Sequence, residues 1–122
     1  MIKTENLKLN STNKKILDDY QYELKMVKHK EENTTINSYA EDIYKYLEYI
    51  ESKHINNALN IKYENILDYL KYLDNNNYEV SSIARKITSI KSFHKYLSET
   101  NNIEDVSLKI NIPKFYRKLP NI

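Results

Sequence analysis

Apolar residues recur at every third or fourth position along most of the chain, which is the spacing of one face of an α-helix. The first such stretch predicts a helix over about residues 13–28, capped by one of residues 11–13. The second predicts a helix that is capped by Asn33 or Thr34 and ends near Lys53. Its apolar stripe is the clearest in the sequence and consists of Ile36, Tyr39, Ala40, Ile43, Leu47 and Ile50.

Two further stretches continue the helical pattern. The third predicts a short helix over about residues 61–73, ended by a run of asparagines in which Asn77 is a candidate for left-handed backbone. The fourth predicts a helix with Ser81 or Ser82 as N-cap, and its pattern lapses after Thr100. The apolar side of this helix carries Ile83, Ile87, Ile90, Phe93, His94 and Leu97.

Four amphipathic helices joined by short linkers predict an all-α fold, a compact bundle of four or at most five helices. Residues 1–12 are polar and predict a flexible N-terminal arm, and residues 13–100 form the predicted helical domain. Residues 101–122 predict an extended basic linker, because Pro113 and Pro120 interrupt any regular structure there.

The sequence has neither glycine nor cysteine. Tight hairpins and phosphate-binding loops need glycine for positive φ, so the composition disfavours a β-rich fold and a nucleotide site of that kind. Without cysteine there is no disulfide and no thiolate metal site, which suits a reducing compartment. No apolar run is long enough to span a bilayer, and residues 1–13 lack the apolar stretch of a secretory signal. We therefore expect a cytoplasmic protein with no membrane partner.

Positive charge is concentrated on the predicted fourth helix, although the net charge of the chain is only +2. No acid lies between Glu79 and Glu99, and a second acid-free basic stretch follows Asp105. The side of the helix opposite its apolar residues carries Arg85, Thr88, Ser89, Ser92 and Tyr96, with Lys86 and Lys95 at its edges. Small hydroxyl residues between cations favour the close approach of a polyanion. The charge alone is equally well explained by a solvated lysine-rich surface.

Two segments of the sequence follow a familiar order. Residues 33–43, NTTINSYAEDI, resemble the pattern N-T-x-x-S-Y-x-x-D-L, and residues 81–97, SSIARKITSIKSFHKYL, resemble S-x-I-x-R-x-L-S-x-L-R-x-F-Y-x-F-L. Over about residues 13–120 the chain thus resembles the N-terminal domain of Xer-type tyrosine recombinases and phage integrases, including the linker that leads to their catalytic domain. It departs from the family in lacking the glycines common before these two helices. Lys91 and His94 also stand where Arg and Tyr are common.

The resemblance implies a SAM-like core-binding domain that forms half of a C-shaped clamp around a recombination half-site, with the second and fourth helices at the major groove. It implies contacts with double-stranded DNA by Thr34, Thr35, Asn37, Ser38, Lys45, Ser81, Ser82, Arg85, Lys86, Ser89 and Ser92. Charge adds Lys95, Lys114, Arg117 and Lys118 as candidate phosphate contacts. Arg85 is the candidate for base-edge recognition, because its guanidinium can pair with guanine O6 and N7. The hydroxyls at the helix N-termini have a simpler role open to them, which is capping.

The chemistry of strand cleavage is not expected in this sequence. Tyrosine recombinases use a tyrosine nucleophile with Arg, Lys and His of a following domain, whereas this sequence has two arginines and no H-x-x-R box. Most of its twelve tyrosines share stripes with Ile and Leu, which is typical of packing. We expect no catalytic residue, and DNA nicking or a covalent DNA adduct formed by this chain alone would contradict that. His29, His54 and His94 lack ligand spacing, so neither a metal nor a cofactor is expected.

Two other functions stay open at this point. Tyrosine is enriched at protein interfaces, so Tyr22, Tyr44, Tyr49, Tyr72 and Tyr96 allow a helical protein-interaction module. In the family, neighbouring recombinase protomers on DNA also contact each other through this domain. The other alternative is a complete DNA-binding regulator, and a reading frame that continues past Ile122 into an Arg/His/Tyr domain would exclude it.

Overall fold

Each predicted apolar stripe lies on a helix in the computed structural model, which describes residues 1–27 and 33–113 and, at positions 33 and 34, the backbone alone. The four α-helices are α1 (Ser11–Met26), α2 (Asn33–Ser52), α3 (Tyr63–Asn75) and α4 (Val80–Asn101). Short 3-10 helices occur at Thr4–Asn6 and Ala58–Asn60. No strand occurs among the described residues, so the all-α prediction is confirmed. The chain divides into two units, Met1–Ile61 and Lys62–Ile122.

The first unit is built on α1 and α2, which pack against each other. Helix α1 buries Leu17, Tyr20 and Leu24. Helix α2 buries Ile36, Ala40, Ile43, Tyr46, Leu47 and Ile50, so its predicted stripe is confirmed apart from Tyr39, which is half-buried. Because each large apolar side chain contributes about 1.5–3 kcal/mol when it is fully buried, this shared face supplies much of the stability of the unit.

The start of the chain contacts the helices of the first unit. The N–H of Ile2 donates to Gln21 Oε1 at 2.7 Å, and Gln21 Nε2 donates back to the Ile2 carbonyl at 3.1 Å. Leu9 is buried, and the side chain of Asn10 caps α1 by accepting from the Asn13 N–H at 2.8 Å. The prediction that residues 11–13 supply the cap is therefore wrong, because Asn10 already fills that position. The segment predicted as a flexible arm contacts α1.

The second unit contains α3 and α4, which also pack against each other. The buried apolar residues are Ile66, Tyr69 and Leu73 of α3 and Ala84, Ile87, Ile90, Phe93 and Leu97 of α4. After α3, Asn77 has φ of 66°, and Asn102 at the end of α4 has φ of 55°. The left-handed backbone predicted for Asn77 is thus confirmed. Asparagine suits these two positions in a chain without glycine, because its short polar side chain tolerates this region.

The start of α4 and the segment that follows this helix differ from the sequence prediction. The helix begins at Val80 with Glu79 in extended conformation as its N-cap, so Ser81 and Ser82 lie in the first turn and their predicted role as N-caps is wrong. After α4 the chain does not extend away at once, because Ser107 and Ile110 are buried. The prediction of an extended linker from residue 101 is therefore wrong for residues 103–110, where burial of Ile110 holds the segment within its unit.

Candidate nucleic-acid interface

One side of α4 presents two cations separated by small hydroxyl residues. Arg85 and Lys95 are exposed, and Thr88 and Ser92 between them are half-buried. Thr88 Oγ1 donates to the Ala84 carbonyl at 3.2 Å, which keeps this hydroxyl close to the helix backbone. No acid interrupts the helix before Glu99. This side of α4 therefore combines positive charge with little steric bulk, which is what close contact with a polyanion requires.

Two residues predicted on this side are buried instead. Ser89 has 0% of its surface exposed, and its Oγ lies 3.5 Å from the Arg85 carbonyl. Lys86 is 9% exposed, with Nζ 5.5 Å from the ring centroid of Tyr78. The predicted exposure of Ser89 is wrong, because the buried side of α4 is wider than its apolar stripe. Direct DNA contact by Ser89 is incompatible with this conformation, and Lys86 exposes only a small part of its surface.

The first turn of α4 carries the two serines that were predicted to approach DNA. Ser81 is exposed and Ser82 is half-buried. At this end of a helix the first backbone N–H groups have no partner inside the helix, and the helix dipole is positive. The dipole and these N–H groups favour a phosphate here, whereas the carboxylate of the N-cap residue Glu79 opposes it.

The candidate residues of α2 lie in a different electrostatic setting. Ser38 and Lys45 are exposed, Thr35 and Asn37 are half-buried, and Lys45 Nζ lies 5.3 Å from the Tyr44 ring centroid. Among the described residues, Asn37 Oδ1 is a buried side-chain oxygen without a hydrogen-bond partner. Helix α2 contains four acids and a single lysine, so it contributes less positive charge than α4. The candidate residues of α4 thus lie on a positively charged helix, whereas those of α2 lie on a helix in which acids outnumber lysine.

The remaining candidates cannot be placed. The side chain of Thr34 lies outside the described part of the structure, as do Lys114, Arg117 and Lys118. Their roles stay predictions from charge and resemblance.

A comparison with known protein families matches residues 17–101 to the family model described as phage integrase, N-terminal SAM-like domain. This chain belongs to that family. The match begins inside α1 and ends with α4, so it spans both units. It confirms the resemblance seen in the sequence and indicates a role related to DNA recombination. No curated protein and no solved structure gave a significant match.

His94 of this integrase-family domain belongs to the core. It is 3% exposed and its ring meets the Phe93 ring edge-on, with centroids 5.5 Å apart. Burial lowers the pKa of His94 from 6.5 to about 4, an effect that the carboxylate of Asp105 partly offsets. The imidazole is therefore neutral at pH 7 and adds no positive charge to the α4 surface.

The described part of this integrase-family domain has neither a metal-binding cluster nor a helix that could cross a membrane. It contains no cluster of three His, Asp or Glu side chains suited to a metal ion. None of its described helices combines the length and apolar character needed to cross a bilayer.

Lys91 has a structural role in this domain that its position in the helical pattern does not reveal. Its Nζ donates to the carbonyls of Ser107 and Ile110, each at 2.7 Å. The helical pattern placed Lys91 towards the core side of α4, which makes it a weak candidate for DNA. The partners lie 16 and 19 residues further along the chain, so no local pattern identifies them.

Proposed function

We propose that this chain is the DNA-binding N-terminal domain of a site-specific tyrosine recombinase or integrase, which clamps duplex DNA at a recombination half-site with α2 and α4. The observation that carries the proposal is the exposed side of α4, where Arg85 and Lys95 stand without an intervening acid. Family membership supports it, since the matched family is that of phage integrases. The expected partners are double-stranded DNA and other recombinase protomers bound to the same DNA, and the expected location is the cytoplasm.

The residues divide into two kinds of contact. Arg85 has the planar guanidinium that suits a guanine edge, whereas Lys95 and Lys45 suit phosphates as point charges. Ser81 and Ser82 would place a phosphate at the N-terminus of α4. The further phosphate contacts on this proposal are Lys86, Ser92, Lys114, Arg117 and Lys118, with Thr34, Thr35, Asn37 and Ser38 at the start of α2. Phosphate contacts hold the protein on DNA, and base contacts select the sequence.

Arg85→Ala is expected to weaken binding to a preferred duplex by about 1–3 kcal/mol while affecting unrelated duplexes less. The preferred duplex is selected from a randomised pool, and fluorescence anisotropy is then measured at two salt concentrations. Lys95→Ala should weaken binding to all duplexes alike and reduce the salt dependence. Lys71→Ala is the matched control, since Lys71 is an exposed lysine of α3 in the same unit.

Two results would decide against this proposal. An equal loss on preferred and unrelated duplexes for Arg85→Ala would remove Arg85 as the base contact. Affinity that does not change with salt, or a Lys71→Ala effect as large as that of Lys95→Ala, would remove the α4 surface as the DNA-binding site.

A second candidate function is protein binding, and one observation favours it. Tyr22, Met26 and Val27 are 51%, 64% and 58% exposed at the end of α1, which gives this end an apolar surface. Contiguous exposed apolar residues mark interaction sites more often than isolated ones do. Anisotropy with duplex DNA separates the two functions, because a module that binds only protein has no salt-sensitive affinity for DNA.

A further inference from the structure

Tyr78 lies in the connection between α3 and α4 and exposes 44% of its surface. Its N–H donates to the Leu73 carbonyl at 3.1 Å, and Asn77 before it has left-handed backbone. The chain then enters α4 at Val80. The backbone of Tyr78 is therefore fixed by the turn that ends α3, while its side chain stays accessible at the start of α4.

The ring of Tyr78 contacts a lysine from the second turn of α4. Lys86 Nζ lies 5.5 Å from the ring centroid, which is within the reach of a cation–π interaction. Because long helical side chains lean towards the N-terminus of their helix, the ammonium of Lys86 is directed towards the first turn, where Ser82 precedes it by four residues. Lys86 itself is only 9% exposed. Tyr78 is therefore the accessible member of this pair, and the lysine is covered.

The surroundings of Tyr78 suit a phosphate contact by a neutral donor. A phenol hydroxyl can donate to a phosphate oxygen, and tyrosine is among the side chains that contact the DNA backbone. The exposed residues Ser81 and Arg85 lie on the same two turns of α4. The carboxylate of the neighbouring Glu79 opposes an anion here, whereas the cations of Arg85 and Lys86 favour it.

We propose that Tyr78 is a further phosphate contact of this domain and that Lys86 is its positioning residue. The hydroxyl of Tyr78 donates to a phosphate of the duplex that α4 binds, and the ammonium of Lys86 holds the ring that carries this hydroxyl. The inference rests on the proposed function and refines the role of Lys86 within it, since Lys86 then acts on phosphate through Tyr78. The contact selects no base sequence, because phosphates are the same in every duplex.

The contact between the two side chains is tested by NMR in the chain without DNA. Protons above an aromatic ring are shielded by its ring current, so the Hε protons of Lys86 should be displaced upfield. This displacement should be lost in Tyr78→Leu and kept in the control Tyr72→Leu, since Tyr72 is a tyrosine of α3 with a similar exposure of 45%. Lys86 protons at the ordinary lysine position in the parent chain would overturn the positioning role.

The role of the hydroxyl is tested by fluorescence anisotropy with the preferred and the unrelated duplexes. Tyr78→Phe keeps the ring and its contact with Lys86 and removes the hydroxyl alone. It should weaken binding to every duplex by about threefold to tenfold, which is the usual range for one hydrogen bond. The dependence of affinity on salt should stay unchanged, because no cation is lost. Tyr72→Phe is the matched control and should bind like the parent chain.

Lys86→Met separates a positioning lysine from one that contacts phosphate itself. A positioning lysine predicts weaker binding with an unchanged salt dependence, and no further loss when Lys86→Met is added to Tyr78→Phe. Lys86→Arg keeps a cation at the ring and should restore most of the affinity. If Lys86→Met does not fold by circular dichroism, Lys86→Gln, which keeps a polar end, replaces it.

The outcomes separate this inference from the proposed function. A Tyr78→Phe chain that binds like the parent chain, or an equal loss in Tyr72→Phe, would overturn the phosphate contact and leave salt-sensitive binding by α4 intact. A slope of log affinity against log salt that falls by about 0.9 in Lys86→Met would show a direct phosphate contact and overturn the positioning role. If the parent chain shows no salt-sensitive DNA binding, the proposed function fails and the role of Tyr78 with it.

Discussion

Asn13→Ala is expected to lower the free energy of unfolding by about 3 kcal/mol, because it leaves the buried N–H of Ala58 without its partner and removes one donor from the Glu51 carboxylate. Asn13 is 0% exposed at the start of α1. Its Nδ2 donates to Glu51 Oε2 at 2.7 Å, and its Oδ1 accepts from the Ala58 N–H at 2.9 Å. One amide thus joins α1 to the end of α2 and to the connector that follows.

Glu51 is also held by a backbone donor at the start of α1. Its two carboxylate oxygens also accept from the Asn10 N–H at 3.2 and 3.1 Å. Loss of Asn13 removes a donor from this charged group and also strands the N–H of Ala58, which is 1% exposed. Removing a hydrogen-bonding side chain lowers stability most when the lost bond is to a charged group or when a buried donor is left unsatisfied.

Urea unfolding followed by circular dichroism measures this effect in the whole chain. Asn60→Ala is the matched control, since Asn60 is an exposed asparagine of the same connector, and it should change the free energy of unfolding by less than about 0.5 kcal/mol. The double variant Asn13→Ala, Glu51→Ala should lose less than the sum of the single losses, because each single variant already breaks the shared bond. A cost for Asn13→Ala no greater than that for Asn60→Ala would show that this network adds nothing to stability.

Acidification from pH 7 to pH 4 is expected to remove about 3 kcal/mol of stability through His94 alone. Burial lowers the pKa of His94 from 6.5 to about 4. Below pH 6.5 the unfolded chain takes up a proton at this residue, whereas the folded chain takes it up only near pH 4. The unfolded state therefore gains stability progressively through this window, at about 1.4 kcal/mol per pH unit. Above pH 6.5 the contribution is constant.

His94→Gln separates this effect from the carboxylates that titrate at the lower end of the same window. The free energy of unfolding of the parent chain minus that of the variant should fall by about 3 kcal/mol between pH 7.5 and pH 4. A difference that stays constant with pH would contradict the lowered pKa. If the variant does not fold, the NMR titration of the His94 ring in the parent chain gives the pKa directly, and a midpoint near 6.5 would contradict it equally.

The existence and order of the helices follow from the sequence, because helical periodicity is a local property. Residues 33–53 were predicted as a helix, and α2 occupies Asn33–Ser52, since its stripe of apolar residues is regular over about four turns. Helix boundaries were less accurate, because Asn10 and Glu79 are the N-caps in place of the expected residues. The residue that becomes the N-cap depends on the path along which the chain enters the helix. The periodicity of apolar residues carries no information about that path.

The candidate DNA-binding residues were only partly predictable. The absence of acids along α4 is visible in the sequence, and Arg85 and Lys95 are exposed as expected. Ser89 is the clearest error, since a serine beside an arginine on a helical projection was expected to face solvent. Its burial depends on residues packed around α4, and a projection of one helix does not include them.

By itself the sequence determined an all-helical chain of the phage integrase N-terminal family, with four amphipathic segments and a positively charged fourth helix. Only the tertiary structure decided which polar groups are structural. Asn13 meets Glu51 and Ala58 across 38 and 45 residues, and Lys91 meets Ser107 and Ile110 across 16 and 19. The physical reason is that apolar patterning is repeated along the chain and can be recognised locally. A buried hydrogen bond depends on two distant groups arriving at the same place, and their positions are set by the packing of the whole unit.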